Sequence, residues 1–368
     1  MIGGVASVAL ESVSVVVEGA TLLENVDLNV PDGRLVAVVG PSGSGKSTLL
    51  RAIAGLVPLA GGRIRFDDAD VTDTAPGGRD VAMVFQEPAL LTTRRVRRNI
   101  AFPLELRNEL REAIRLRVDA EVRALHIERL LDAWPSTLSR GEEQLVQLAR
   151  SLVRVPRVLL LDEPFSGLDE PRRRSLRSDL AVLQQGYGVT TFIATNDPAD
   201  VAALATDVAV IDTATSVPGR NGPGHIAQVG SIDSVREQPA SLDAANALGP
   251  TWTLPVRIEA DGPDSAWLVA GADRSFRLRS WSPAVRASAG DSVTLGLRTE
   301  HATVRSTGAH AARVVRVVPG AVTEVTLDVA GHRVSATLSG DNRPERDDEV
   351  RFDLTSSWVF DANGRRIA

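Results

Sequence analysis

Apolar positions along this chain follow three rhythms, and each predicts a different element. Short unbroken runs, Leu35-Val36-Ala37-Val38-Val39 and Val158-Leu159-Leu160-Leu161, predict buried strands. Thr190-Thr191-Phe192-Ile193-Ala194-Thr195 reads as another strand, and Met1 to Glu18 alternates as strands do. Helices are expected from Ser47 to Ala54, carrying Leu49, Leu50 and Ile53, from Leu145 to Val153, and, Ala-rich, from Ala240 to Leu248. A turn-rich insertion is expected at Gly219 to Gly224, and Gly249-Pro250 reads as a domain boundary. Beyond it the pattern changes to short alternating runs: Leu254 to Ile258, Ala266 to Val269, Ser292 to Arg298, Ala312 to Val318, Val322 to Val329 and Arg333 to Thr337. Turns such as Ala260-Asp261-Gly262 and Ala330-Gly331 separate them, which predicts a small β barrel.

Composition narrows the class. A chain of 368 residues, 43% hydrophobic and 24% charged, suits two or three globular domains with a large core. A net charge of −6 argues against a dedicated nucleic-acid binder. With no cysteine there is no disulfide framework and no thiolate chemistry. The first residues lack a basic start and carry Glu11, unlike a signal peptide, and no apolar run approaches the ~20 residues of a spanning helix. A soluble chain is expected, with any membrane association made through partners.

The chemistry concentrates around one lysine. Lys46 is the only lysine of 41 Lys and Arg residues, and it lies in Gly40-Pro41-Ser42-Gly43-Ser44-Gly45-Lys46-Ser47-Thr48. This GxxxxGK[ST] pattern, between a buried strand and a helix, is a phosphate-binding P-loop. Backbone N–H groups cradle phosphates, a compact ammonium reaches between them, and Ser47 offers a hydroxyl to Mg²⁺. The second buried strand ends in Asp162-Glu163, followed by Pro164-Phe165-Ser166-Gly167-Leu168-Asp169. Behind a P-loop, Asp162 is the candidate on the Mg²⁺ side and Glu163 the candidate base that orients water.

Two further segments identify a class of P-loop protein. Leu138-Ser139-Arg140-Gly141-Glu142-Glu143-Gln144 resembles the LSGGQ signature of ATP-binding cassette (ABC) proteins, and Val84-Phe85-Gln86-Glu87-Pro88 resembles their Q-loop. Ser139 with Glu142 also reads as a helix cap, which the signature itself is. The resemblance implies an α/β P-loop (RecA-like) nucleotide-binding domain over residues 1–238, with a helical subdomain at about 89–155. A linker helix at 239–252 and a small all-β, OB-fold-like (TOBE) regulatory domain at 253–368 would follow. It extends to Asn99-Ile100-Ala101-Phe102-Pro103-Leu104, like importer ATPases, and to Gly224-His225-Ile226-Ala227-Gln228-Val229-Gly230, like the maltose, polyamine and sulfate branch. Gly296 to His301 and Phe360 to Gly364 resemble the regulatory domain of carbohydrate-importer ATPases.

Two positions depart from the family pattern. Where the family has a switch histidine followed by Asp, this chain has Asn196-Asp197, and none of its five histidines falls there. Asparagine can donate one N–H but carries no proton or positive charge, so a slow ATPase or the weak half of a pair is expected. Where the family stacks adenine on an aromatic residue, Val17 aligns; either base preference relaxes, or Val17 still packs its apolar area on the ring. Arg94-Arg95-Val96-Arg97-Arg98 and Arg172-Arg173-Arg174 read as solvated faces, with a permease interface as the second reading for the former.

The family resemblance implies an ATPase that couples ATP-driven dimer closure to solute import. ATP and Mg²⁺ would be its cofactors and carbohydrate its expected cargo. ATP would be held by Gly40 to Thr48 and Val17 of one chain, and by Ser139, Gly141, Glu142 and Asp169 on the signature side; the head-to-tail partner's signature would meet the phosphates. Ser47, Gln86 and Asp162 would serve Mg²⁺, with Glu163, Asn196 and Gln86 in catalysis. Expected partners are two integral-membrane permease subunits, a second ATPase subunit and an extracytoplasmic solute-binding protein, with no nucleic acid. The place is the cytoplasmic face of the cell membrane. The alternatives are a degenerate, weakly hydrolytic partner in a heterodimer, or an importer for polyamine, iron or an inorganic anion. A non-transport ABC ATPase would show tandem cassettes or a coiled coil, and this sequence has neither.

Overall fold

Strands β1 (Val8–Val17), β2 (Ala20–Val30) and β3 (Leu35–Val39) open the chain, and every residue of β3 is buried. Strands β4 (Gly61–Phe66), β5 (Ala69–Asp70), β6 (Val81–Val84), β7 (Val158–Asp162), β8 (Thr190–Ala194), β9 (Asp207–Thr213) and β10 (Gly224–Ser231) complete a ten-stranded sheet. Its order is β5-β4-β1-β2-β10-β9-β3-β8-β7-β6. These observations come from a computed structural model that describes residues 5–213, 222–262, 265–271, 274–280, 282, 284–285, 288–320, 322–339 and 343–368. The expected turn at Gly219 to Gly224 lies in part outside those residues, as does the start of the Met1 to Glu18 segment.

The sheet has two characters. Central strands β6, β7, β8, β3 and β9 run parallel, with Val38 opposite Ala194 and Leu161 opposite Ile193. Strands covered on both faces need apolar residues throughout, which is why β3, β7 and β8 are wholly buried. The β1, β2, β4 and β5 wing is antiparallel and alternates in burial. Parallel strands end at a common edge, and their following loops meet outside it.

Helices connect the strands: α1 (Lys46–Ala54) follows β3, α5 (Glu170–Tyr187) follows β7 and α6 (Pro198–Leu204) follows β8. Between β6 and β7 lie α2 (Val96–Leu106), α3 (Arg111–Ala124) and α4 (Arg140–Leu152), which pack on one another through Ile100, Leu104, Val118, Val122, Val146 and Leu148. Helix α7 (Ile232–Glu237) closes the first compact unit, Met1–Glu237.

The second unit, Gln238–Ala368, is β-rich. Helix α8 (Leu242–Ala247) precedes β11 (Trp252–Asp261), β12 (Ser265–Ala270), β13 (Phe276–Ser280) and β14 (Ser292–Leu297). Strands β15 (Ala302–Arg305), β16 (His310–Val318), β17 (Glu324–Val329), β18 (His332–Leu338), β19 (Glu349–Leu354) and β20 (Trp358–Phe360) follow. They form a five-stranded sheet, β13-β12-β11-β14-β20, and a closed barrel, β15-β18-β17-β16-β19. One core joins them, including Leu254, Ile258, Leu268, Phe276, Leu295, Val304, Val314, Leu327 and Phe352. The anticipated runs overlap β11, β12, β14, β16, β17 and β18; β13, β15, β19 and β20 were not anticipated. β13 and β15 are short, and β20 has only three residues, too few to display a period. Arg298 ties α8 to this core, donating to Ala245 O at 2.8 Å and Leu248 O at 2.9 Å.

In the first unit a buried guanidinium does comparable work. Arg79, 4% exposed, donates to Ala52 O, Ile53 O, Thr72 O and Thr74 O at 2.8–3.0 Å. It thereby satisfies the last carbonyls of α1, the helix that carries Lys46. Replacing Arg79 by Met would leave four carbonyls without that donor. The expected loss is about 2–3 kcal/mol, read as a lower urea midpoint by circular dichroism; an unchanged midpoint would refute the capping role.

Candidate active site

The P-loop turns tightly between β3 and α1. Gly40 and Gly45 have φ of +149° and +99°, and a Cβ on either would collide with neighbours. At Gly40 it would lie 2.1 Å from Ile211 O, and at Gly45 2.6 Å from Leu23 Cδ2. The loop can therefore close around a ligand only with glycine at these places. Helix α1 starts at Gly45 with no side-chain cap, leaving its first N–H groups without intrahelical acceptors. Ser44 Oγ is buried and unpartnered. Glycine cradle, uncapped helix start and orphaned hydroxyl together fit a phosphate chain. Lys46 is 6% exposed, its Nζ donating to Gly40 O and Pro41 O, both at 2.8 Å. Burial pushes its ammonium below the ordinary value, while Glu163 and Asp162 pull it back up.

The carboxylates reach the same edge from β7. Ser47 Oγ donates to Asp162 Oδ1 at 2.8 Å, so the P-loop hydroxyl and the buried aspartate stand side by side. Among the described residues no group of three or more His, Cys, Asp or Glu could hold a metal. A hydroxyl and one carboxylate are instead what a Mg²⁺ ion shared with phosphates and water requires of a protein. Glu163 follows at φ +45°, its N–H donating to Ala194 O of β8 at 2.9 Å. Its two carboxylate oxygens take one amide each: Asn196 Nδ2 donates to Oε1 at 2.9 Å and Gln86 Nε2 to Oε2 at 3.1 Å. Hydrogen bonds thus join Ser47 to Asp162 and Glu163 to Gln86 and Asn196, with Lys46 in the field of both carboxylates. An acceptor, held by two neutral donors beside an ammonium, can orient and deprotonate a water molecule.

The signature residues stand at the start of α4. Ser139 N–H and Ser139 Oγ both donate to Glu142 Oε2 at 2.9 Å, and Arg129 pairs with Glu142 Oε1 at 2.6 Å. The Ser139 amide, first among these, holds the Glu142 carboxyl below the usual range. Gly141 lies against Leu168, where a Cβ would come within 2.9 Å of Leu168 Cδ2. Arg140, at the signature's first glycine position, lies over Gly167 instead; a Cβ there would meet its Nε at 2.9 Å. Asp169 caps α5, accepting from Arg172 N at 3.0 Å. Among the described residues no hydrogen bond or ion pair joins Ser139, Gly141 or Glu142 to the P-loop of the same chain. Val17 is 37% exposed beside Val16 and Leu22, an apolar surface at the end of the β1–β2 hairpin.

Sequence reasoning missed a set of ion pairs. Arg177 pairs with Asp200 and Asp197, and Arg173 with Asp197. The spacing of Arg173 and Arg177, four residues apart on a helix, was the available signal. Of the Arg172 to Arg174 run read as a solvated face, Arg173 therefore turns inward. Arg94 and Arg95 also have aromatic neighbours, lying 4.7 Å from the Phe102 ring and 5.0 Å from the Trp134 ring.

Comparison with known proteins gives the family. The family model described as ABC transporter matches residues 23–166. The sn-glycerol-3-phosphate import ATP-binding protein UgpC of Chromohalobacter salexigens is 34% identical over 361 residues, 95% of this chain and 92% of that one. The alpha-glucoside transport ATP-binding protein AglK of Rhizobium meliloti is 34% identical over 354 residues, 94% of each. A solved structure of cbiO1 from Clostridium perfringens, part of the ABC transporter complex cbiONQ, superposes with TM-score 0.54 at 27% identity. It covers 63% of this chain and 95% of that chain.

An exposed valine offers a base no π face. Val17→Tyr is expected to tighten ATP binding by roughly 1–3 kcal/mol, measured by titration with a fluorescent nucleotide, and to raise the preference for ATP over a pyrimidine triphosphate. Equal affinity in parent and variant would place the base elsewhere.

Proposed function

The chain belongs to the ABC transporter family of ATP-binding subunits, and from that premise we propose that it is the ATP-hydrolysing subunit of an importer whose cargo is a carbohydrate or a related polyol. The observation that carries the hydrolytic part is the junction of β3, β7 and β8, where Ser47 meets Asp162 and Glu163 sits between Gln86 and Asn196. Cargo class rests on full-length likeness to subunits named for glycerol phosphate and alpha-glucoside transport.

In this reading the loop Gly40 to Thr48 binds the triphosphate, and Lys46 leaves its two carbonyl acceptors to neutralise phosphate charge. Ser47 and Asp162 would hold Mg²⁺, and Gln86, bonded to Glu163, would sense it. Bound Mg²⁺ supplies charge neutralisation for the transferring phosphoryl group. Glu163 orients water, and Asn196 holds the Glu163 carboxylate in place. Asn196 adds a donor but no positive charge, so hydrolysis should be slow against a histidine-bearing relative. Ser139 and Gly141 complete the site of a second ATPase subunit, head to tail, with Arg140 drawn aside onto Gly167.

Among the described residues no helix is long and apolar enough to cross a membrane. Two integral-membrane permease subunits and an extracytoplasmic solute-binding protein complete the proposed assembly, with this chain peripheral on the cytoplasmic face. The branch that Gly224 to Gly230 resembles includes maltose-, polyamine- and sulfate-type importers alike, so polyamine, iron or an inorganic anion is the second cargo reading. A degenerate subunit paired with a stronger ATPase is the other alternative, motivated by Asn196.

Steady-state Mg-ATP hydrolysis by the parent should exceed that of Glu163→Gln, and Asn196→His should raise it on the order of tenfold or more. A parent indistinguishable from Glu163→Gln would make this chain a non-hydrolytic partner.

A further inference from the structure

Asn196 is exposed, yet both of its neighbours in sequence are pinned. Thr195 Oγ1 donates to Asp200 Oδ2 at 2.7 Å and accepts the Asp197 N–H at 3.0 Å. Asp197 caps α6 through Ala199 N at 2.9 Å, and its other oxygen takes Arg173 Nη1 at 2.5 Å and Arg177 Nη2 at 3.1 Å. Asp200 Oδ1 takes Arg177 Nε at 2.5 Å. The side chains of Arg177 and Asp200 are only 7% and 5% exposed.

The same arginines reach the turn after Glu163. Both stand on α5, whose first residue follows the capping Asp169. Arg173 Nη2 donates to Leu168 O at 3.5 Å, and Arg177 Nη1 to Glu170 Oε1 at 3.3 Å. A cleft of about 370 Å³ separates that turn from the Asn196 loop, with Glu163, Ser166, Arg173, Asn196, Asp197 and Asp200 among its walls. Ser166 Oγ and Arg173 Nε make no hydrogen bond there. Glu163 is thus bracketed: its backbone hangs on β8 and its carboxylate on Asn196, while the turn leading away from it enters the helix that grips the Asn196 loop.

We propose that Arg173, Arg177, Asp197 and Asp200 are positioning residues, which hold Asn196 on the Glu163 carboxylate and couple its placement to the Ser166–Asp169 turn. The proposal rests on the hydrolytic reading above and adds to it a mechanical link between a turn near the signature residues and the group that orients water. Buried ion pairs give little net stability compared with apolar packing. What this network supplies is a fixed distance between α5 and the loop after β8. Movement of the Ser166–Asp169 turn would then be transmitted through two side chains one helical turn apart.

The test uses the full chain with Asp200→Asn, which keeps the side-chain volume and removes the charge facing Arg177. Turnover is expected to fall roughly 10- to 100-fold, as for a slightly misplaced catalytic group, with affinity for a fluorescent ATP analogue unchanged. In an Asn196→Ala background the same substitution should lower turnover no further, because the link it breaks ends at Asn196. Amide hydrogen exchange should rise together over 163–169 and 194–197. Equal turnover losses in both backgrounds, or faster exchange confined to α6, would overturn the proposal in favour of plain structural support. Should Asp200→Asn not fold, Arg173→Lys on the more exposed arm is read in the same way. A parent no faster than Glu163→Gln would defeat the hydrolytic reading instead, and hydrogen exchange would then decide the positioning alone.

Discussion

Strands β3, β8 and β7 pair in parallel with both faces covered, Val36 beside Phe192 and Leu160 beside the same residue on the other side. That pairing brings the P-loop, the Asn196 loop and the Asp162-Glu163 pair out at one edge. No side chain of the site would be useful without it. Ser47 and Asp162 are separated by 115 residues yet share a 2.8 Å hydrogen bond. Glu163 and Asn196 are 33 apart and meet at 2.9 Å. Because the strands are packed on both faces, their ends cannot slide without exposing apolar area, and the loops inherit that rigidity.

Charge at this edge is handled economically. Lys46 is the one buried ammonium, and the two carboxylates of β7 lie within its field. Glu163 is steadied by carboxamides, which restrain its orientation without pairing its charge. A cation in either place would pair that charge directly. Asn196 therefore differs from a protonated histidine in withholding positive charge from the phosphate side. That difference matters for a reaction that builds negative charge on phosphoryl oxygens.

Around this centre the polar groups that matter mechanically are buried arginines. Arg79 closes the end of α1 and Arg177 the base of the Asn196 loop, while Arg298 does the same for α8 in the second unit. A planar fork can satisfy several carbonyls or carboxylate oxygens at once, which a single ammonium cannot. In the proposed function Lys46 meets the opposite requirement, a narrow charge between phosphates.

The unbroken apolar runs, the glycine spacing before Lys46 and the acid pair after Leu161 were enough to identify the P-loop fold and the candidate residues gathered at its edge. These features are local, since each depends on residues adjacent in sequence. Alternation likewise revealed six strands of the second unit; β20, with three residues, was too short to show it. Contacts between distant segments were not legible. Nothing in the order of residues says that Arg140 lies on Gly167 or that Glu142, beyond capping with Ser139, also pairs with Arg129. Those outcomes depend on which helix faces meet once the sheet has formed. Sequence alone determined the chemistry available and the backbone that carries it. Tertiary packing decided which charges are paired, because pairing is set by distance and burial, and both exist only in the folded chain.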